Sequence, residues 1–259
     1  MAETSKSQVR LHIGTSGWSY RDWRAVFYPQ NATANTYLNY YAQHFRTVEV
    51  DSTFYGIPRP STVQNWFRQT PDDFVFTLKV PKMITHEKRL QHCEDEWQRF
   101  LQIVSLLHHK AGPLILQFDY KFEFKPFFPI LEKFLRDHHG DRRLAVEIRH
   151  RSWHQEPFYE MLSRYQTALV LNDLYYMPRL VRLTSVFTVV RLLGNRKQIP
   201  DDFSRVRIER GADLQWWAGQ IRNFLQRNLE VYVYSNNRYQ GHAPATVGTL
   251  LRLIQENGP

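Results

Sequence analysis

Thr47-Val48-Glu49-Val50-Asp51 is a strand-forming stretch with acids where a buried strand would carry hydrocarbon. The pattern returns at Leu78-Lys79, Leu116-Gln117, Val146-Glu147-Ile148-Arg149, Leu171-Asn172-Asp173, Val190-Arg191 and Tyr234-Ser235-Asn236-Asn237. An unpaired charge in an apolar interior is very costly. Strand ends of this kind, scattered along one chain, predict convergence on a shared polar site.

Between those runs the apolar period changes to that of a helix. Leu38, Tyr41, Ala42 and Phe45 fall at i, i+3, i+4 and i+7. Similar stripes are Trp97-Phe100-Leu101-Val104, Phe127-Leu131-Phe134-Leu135, Phe158-Met161-Leu162-Tyr165 and Leu214-Trp217-Ala218-Ile221. Ser61 and Gln64 read as a capping box, Gly140 as the end of the fourth helix, and Pro157 as a first helical position. Strands are expected at 12–16, 47–54, 74–80, 114–118, 144–149, 168–173, 187–192 and 230–235. No helical stripe fills 174–186, so irregularity is expected around the sixth and seventh units.

About eight βα units in 259 residues, without a glycine-rich dinucleotide fingerprint, predict an α/β protein. The expected architecture is a (β/α)8 TIM-like barrel with a parallel sheet, not an open doubly wound sheet. Residues 11–259 are expected to form a single domain, and 1–10 a disordered tail.

Hydrophobic content of 42% and charged content of 23% are ordinary for a globular protein. The net charge of +9 favours acidic partners, a small anionic molecule first and nucleic acid as the alternative. The basic residues are dispersed, which a solvated surface would also explain. Cys93 is the only cysteine, so no intrachain disulfide can form and a reducing compartment is expected. The polar N-terminus lacks an apolar leader core, and the longest apolar run, Val186 to Leu193, is too short for a bilayer. A cytoplasmic protein with no membrane partner is expected; oligomeric state stays open.

By strand period Glu49, Asp51 and Thr53 share a face, as do Thr77 and Lys79, and Glu147 and Arg149. If those faces point to the barrel axis, Glu49, Lys79 and Glu147 meet at its mouth. The expected catalytic group is Lys79 and Glu147 for proton transfer, with Glu49, Asp173 and His86 in support. Arg149 and Arg191 are expected to clamp an anion, helped by Gln117, Asn236 and Asn237. Trp18, Tyr55 and Trp153 are expected to rim the same mouth. A buried ion-pair network, turn chemistry at the asparagines and an apolar lid are the competing readings.

Glu49, Asp51, Glu147, Asp173, His86, His150 and His242 can supply ligands for a divalent metal, but none has diagnostic spacing. No nucleotide-cofactor motif, nucleophile elbow or P-loop is present, and Cys93 at a helix start has no base beside it in sequence. Acid–base chemistry of the lyase, isomerase or hydrolase type is favoured if the chain is an enzyme. A non-catalytic binding barrel is the remaining class.

Several of these motifs carry a resemblance. Gly14-Thr15-Ser16-Gly17-Trp18-Ser19-Tyr20, Phe27-Tyr28-Pro29, Val48 to Tyr55, Thr85-His86, Val146-Glu147 with Arg149-His150 and Trp153, and Asn236-Asn237 with His242-Ala243-Pro244 resemble the YecE-like family. That family is catalogued as the seventy-second of the domains of unknown function. The resemblance extends over nearly the whole chain. It implies a single TIM-like barrel and no established reaction. The chain departs from the family at Asp119-Tyr120, where two prolines are usual, at Leu193, where histidine is common, and across Phe203 to Gly211.

Overall fold

A computed structural model describes residues 11–140, 142–199 and 201–256. The expected tail, 1–10, lies outside the described residues. Eight parallel strands close in sequential order: β1 (Leu11–Ser16), β2 (Thr47–Val50), β3 (Val75–Lys79), β4 (Ala111–Gln117), β5 (Leu144–Glu147), β6 (Ala168–Leu174), β7 (Phe187–Gly194) and β8 (Glu230–Ser235). Around them lie α1 (Ala34–His44), α2 (Pro60–Gln69), α3 (Glu94–Ser105), α4 (Phe124–His138), α5 (Glu156–Arg164), α6 (Gly211–Gln226), the single turn α7 (Asn237–Gln240) and α8 (Ala243–Glu256). The predicted barrel is the observed one. As expected, no helix separates β6 from β7. No helix among the described residues is long and apolar enough to cross a membrane.

Strand pairing sets which residues face the axis. Glu49 lies beside Thr77, Lys79 beside Ile115, Gln117 beside Glu147, and Asn172 beside Arg191. Below that polar layer, Ile115, Ala145, Ala168, Val170, Phe187, Val189, Tyr232 and Tyr234 fill the interior as a cluster of their own. The Tyr234 hydroxyl pairs with Thr47 at 2.8 Å and donates to Thr77 at 2.7 Å, so the polar groups within the filling are satisfied. The larger core lies outside the strands, against the helices. Closing a sheet this way removes its edges and aims all eight C-terminal ends at one rim.

Several local expectations are corrected. No side chain caps α2, which starts with Pro60; the reciprocal side-chain link is at α1, where Thr36 Oγ1 accepts from the Thr33 amide at 3.1 Å. Proline at a first helical position already lacks the donor a cap would satisfy. α4 stops at His138, and an added Cβ at the exposed Gly140 would meet nothing. β2 ends at Val50, and Ser52–Phe54 turns as a short 3-10 helix. Thr53 therefore leaves the axial face; its hydroxyl donates to the carbonyls of Val50 (2.9 Å) and Lys79 (2.7 Å) and ties β2 to β3.

Candidate functional site

Three strands supply the centre of the rim. Arg191 on β7 donates from Nε and Nη2 to the two oxygens of Glu49 on β2, at 2.7 and 2.6 Å. Its Nη1 donates to Glu147 on β5. All three side chains are buried. Arg149 extends the network, with Nε on Glu147 at 2.8 Å and Nη2 on Gln117 at 3.0 Å. The Ser16 hydroxyl donates to Glu49 at 3.2 Å. Burial works against the Glu147 carboxylate, but the Arg191 and Arg149 guanidiniums outweigh it and hold the group down at about 2. Burial likewise opposes the charge on Arg191, and Glu147 and Glu49 reverse that, raising its pKa. The charges of Arg191, Glu49 and Glu147 are committed to one another.

Lys79 is different. Only 8% of it is exposed, and among the described residues its ammonium makes no hydrogen bond or ion pair. It sits over the Phe54 ring, 4.2 Å from the centroid. Burial is the largest cause lowering it to about 8; Arg191 adds to that, while Glu49 and Glu147 oppose it. Asp51, just past β2, is raised by burial and then by Glu49. Tyr20 is raised by burial, then by Asp51 and Glu49, and stays a neutral donor.

Lys79, Asp51 and Arg149 open onto one cavity of about 400 Å³ at the C-terminal rim. Gln117, Tyr55, Asn236 and Asn237 line it too. Asn236 caps α7 through the Arg238 amide at 2.9 Å. Asn237 accepts from the Trp23 indole at 3.2 Å and the Ala243 amide at 3.0 Å, while its buried Nδ2 has no partner.

Four expected site residues are placed elsewhere. Asp173 has the opposite strand parity to Asn172 and points outward, where it accepts from the Trp217 indole (2.9 Å), the Tyr239 hydroxyl (2.8 Å) and Arg179. Trp153 is fully buried, its indole on the Phe122 carbonyl at 2.6 Å and its ring edge-on to Phe158. Trp18 packs edge-on against Trp66. His86 stands beside the cavity without lining it, edge-on to Phe54 and with Nδ1 paired to the Thr85 hydroxyl at 2.9 Å. Burial, then Lys79 and Arg149 against the opposing Asp119, lower its pKa. Arg191 lines the cavity but is spent on two acids, so it frames the site and clamps nothing further.

The cavity also holds Tyr20, a loop aromatic of the kind expected at the rim, and Arg196, Phe203 and Arg238, for which the sequence suggests no role. Arg196 directly follows Gly194-Asn195 and Arg238 directly follows Asn236-Asn237, so adjacency to those turns was the available signal. Arg238 is held by Asp201 and the Ile199 carbonyl.

No group of three or more His, Cys, Asp or Glu among the described residues could hold a metal ion. Glu49 and Glu147 offer their oxygens to guanidiniums, and His242 Nδ1 faces the Phe203 carbonyl at 2.8 Å. The donor set does not suit a divalent cation. Cys93, at the start of α3, is buried, and burial followed by Glu94 pushes the thiol up to about 11. It is no nucleophile at neutral pH.

A closed parallel barrel whose ionic residues gather where its strands end in C-terminal tips defines a TIM-barrel protein. The chain belongs to the family described as "Protein of unknown function DUF72", whose model matches residues 12–259. It is 36% identical to UPF0759 protein YecE of Escherichia coli over 140 residues, which is 54% of this chain and 48% of that protein. Over 269 residues, 94% of both chains, it is 27% identical to UPF0759 protein YunF of Bacillus subtilis. The crystal structure of a DUF72 family protein from Thermotoga maritima is similar with a TM-score of 0.79 at 26% identity, covering 95% of this chain and 99% of that one. One from Enterococcus faecalis, at 22% identity and a TM-score of 0.78, shares the fold over 96% of this chain and 97% of its own.

Proposed function

We propose that the chain is an enzyme acting on a small anionic metabolite, phosphorylated or carboxylated, by acid–base chemistry at the barrel mouth. The observation that carries this reading is Lys79: a buried ammonium without an acid partner, facing an open cavity, with its proton affinity brought to about 8. A group titrating near neutral pH transfers protons efficiently in both directions. Glu147, held at about 2, is too weak a base to share that work. Asp51, raised and lining the same cavity, is the better second carboxyl.

Arg149 and Arg196 hold the anion in this reading, and the idle Nδ2 of Asn237 donates to it. A buried donor without an acceptor costs about 1–3 kcal/mol, which a ligand oxygen would recover. The Arg191 network fixes the positions of these groups and takes no part in the proton transfer.

The test has two readouts. Nuclear magnetic resonance of the lysine side chains should show one ammonium titrating near 8 that disappears in Lys79→Ala. Calorimetry with inorganic phosphate should show binding that falls about tenfold or more in both Lys79→Ala and Arg149→Ala, with the melting temperature of the first kept or raised. Unchanged phosphate affinity in Lys79→Ala refutes the assignment. A single-stranded oligonucleotide forms the third arm: binding that falls steeply with salt favours nucleic acid as the occupant.

A further inference from the structure

We propose that the ligand at Lys79 is amphiphilic: its phosphate or carboxylate is joined directly to an apolar ring or short chain, which lies in a second groove behind Phe54 and Tyr55. This rests on the anion-binding reading of the polar cavity and extends it. The second groove, about 330 Å³, shares Phe54 and Tyr55 with that cavity and continues over Ile57, Pro81 and Met83. The two spaces adjoin at that aromatic pair.

Their chemistry differs sharply. The polar half presents Lys79, Arg149 and Arg196. The other half has a hydrocarbon floor; of the charges at its rim, Lys82 is matched with Glu87 at 3.2 Å and Glu96 with Lys88 at 2.8 Å, and Arg99 stands beside them. Tyr55 is 76% exposed and Met83 43% exposed, so apolar surface adjoining the anion site faces water. Covering such surface is favourable by roughly 25 cal/mol per Å². A cavity of about 150 Å³ is enough for benzene, so this groove takes a ring or a chain of similar bulk. Met83 also opens a π-helical turn, Met83–Glu87. Such turns are frequent at functional sites, and the flexible thioether adapts to irregular shapes.

The experiment compares bare and ring-bearing anions by calorimetry on the full chain: inorganic phosphate against phenyl phosphate, and acetate against phenylacetate. The two pairs distinguish the head groups. In at least one pair the ring-bearing anion should bind about tenfold or more tightly than the bare one. The double variant Ile57→Asn with Met83→Gln should remove most of that advantage and leave the bare anion within about twofold. Lys79→Ala should weaken both members of the pair. Equal affinity for bare and ring-bearing anions overturns the amphiphile and leaves the anion site standing. An advantage that survives the double variant overturns the groove assignment. Binding of no probe overturns the anion reading, and this inference with it.

Discussion

Replacing Arg191 with methionine is the most demanding check on the buried network. The substitution removes two hydrogen bonds to Glu49 and one to Glu147. Glu147 keeps Arg149 at 2.8 Å, whereas Glu49 keeps only the Ser16 hydroxyl at 3.2 Å. The damage falls on Glu49, a buried carboxylate left without a guanidinium. Removing one partner of a buried pair costs about 3–5 kcal/mol. At an m-value of about 3 kcal/mol per M of urea, the unfolding midpoint falls by about 1–2 M. The loss should depend on pH. In the parent, Glu147 is depressed to about 2, so its stabilisation is full above its unfolded value and fades as pH falls toward 2. In the variant, neutralising the stranded carboxylate removes an uncompensated buried charge, so stability increases as pH falls. The two urea midpoints should therefore converge between pH 7 and pH 4. Adding Glu49→Gln should recover much of the loss at pH 7. A deficit below about 1 kcal/mol, or one equal at both pH values, refutes the uncompensated-charge account.

Lys79→Met should stabilise the fold at pH 7 by about 1–3 kcal/mol, as seen in urea unfolding. The folded-state value near 8 lies below the unfolded one, so parent stability rises as pH climbs toward about 10.5 and the variant's advantage vanishes there. Asp173→Ala should lower stability by about 2–4 kcal/mol through the loss of the Trp217, Tyr239 and Arg179 contacts, while phosphate affinity by calorimetry stays unchanged. Gly194→Ala should destabilise by more than about 1 kcal/mol in thermal melts. Its φ is +66°, and a Cβ would lie 2.3 Å from the Arg238 carbonyl oxygen. Because that collision presses on the turn that also carries Asn237, phosphate affinity should fall as well.

The barrel was legible because two periods alternate cleanly along the chain: stripes such as Leu214, Trp217, Ala218 and Ile221 are buried in α6 as expected. The convergence of Glu49, Lys79, Glu147 and Arg149 followed from strand ends that had to find partners. Asp173 was assigned to the wrong side because β6 is buried on both faces. Ala168 to Leu171 carries no polar alternation to mark the inner parity, and both Asn172 and Asp173 are polar. Register against Arg191 settles it, and register is a property of the neighbouring strand. Trp153 shows the same limit, since an aromatic after a strand can fold back into the core as readily as line a mouth. Arg196 comes from a loop and Arg238 from the single turn α7, too short for a period to predict direction.

The bond from β7 across to β2 and β5 also bears on how the chain matures. During synthesis from the N-terminus, Glu49 and Glu147 leave the ribosome long before Arg191 does. A partial barrel that packed early would bury both acids with only Arg149 to neutralise them. A polypeptide that stays open until its seventh strand arrives avoids that cost, and the final quarter of the chain then locks what the first three began.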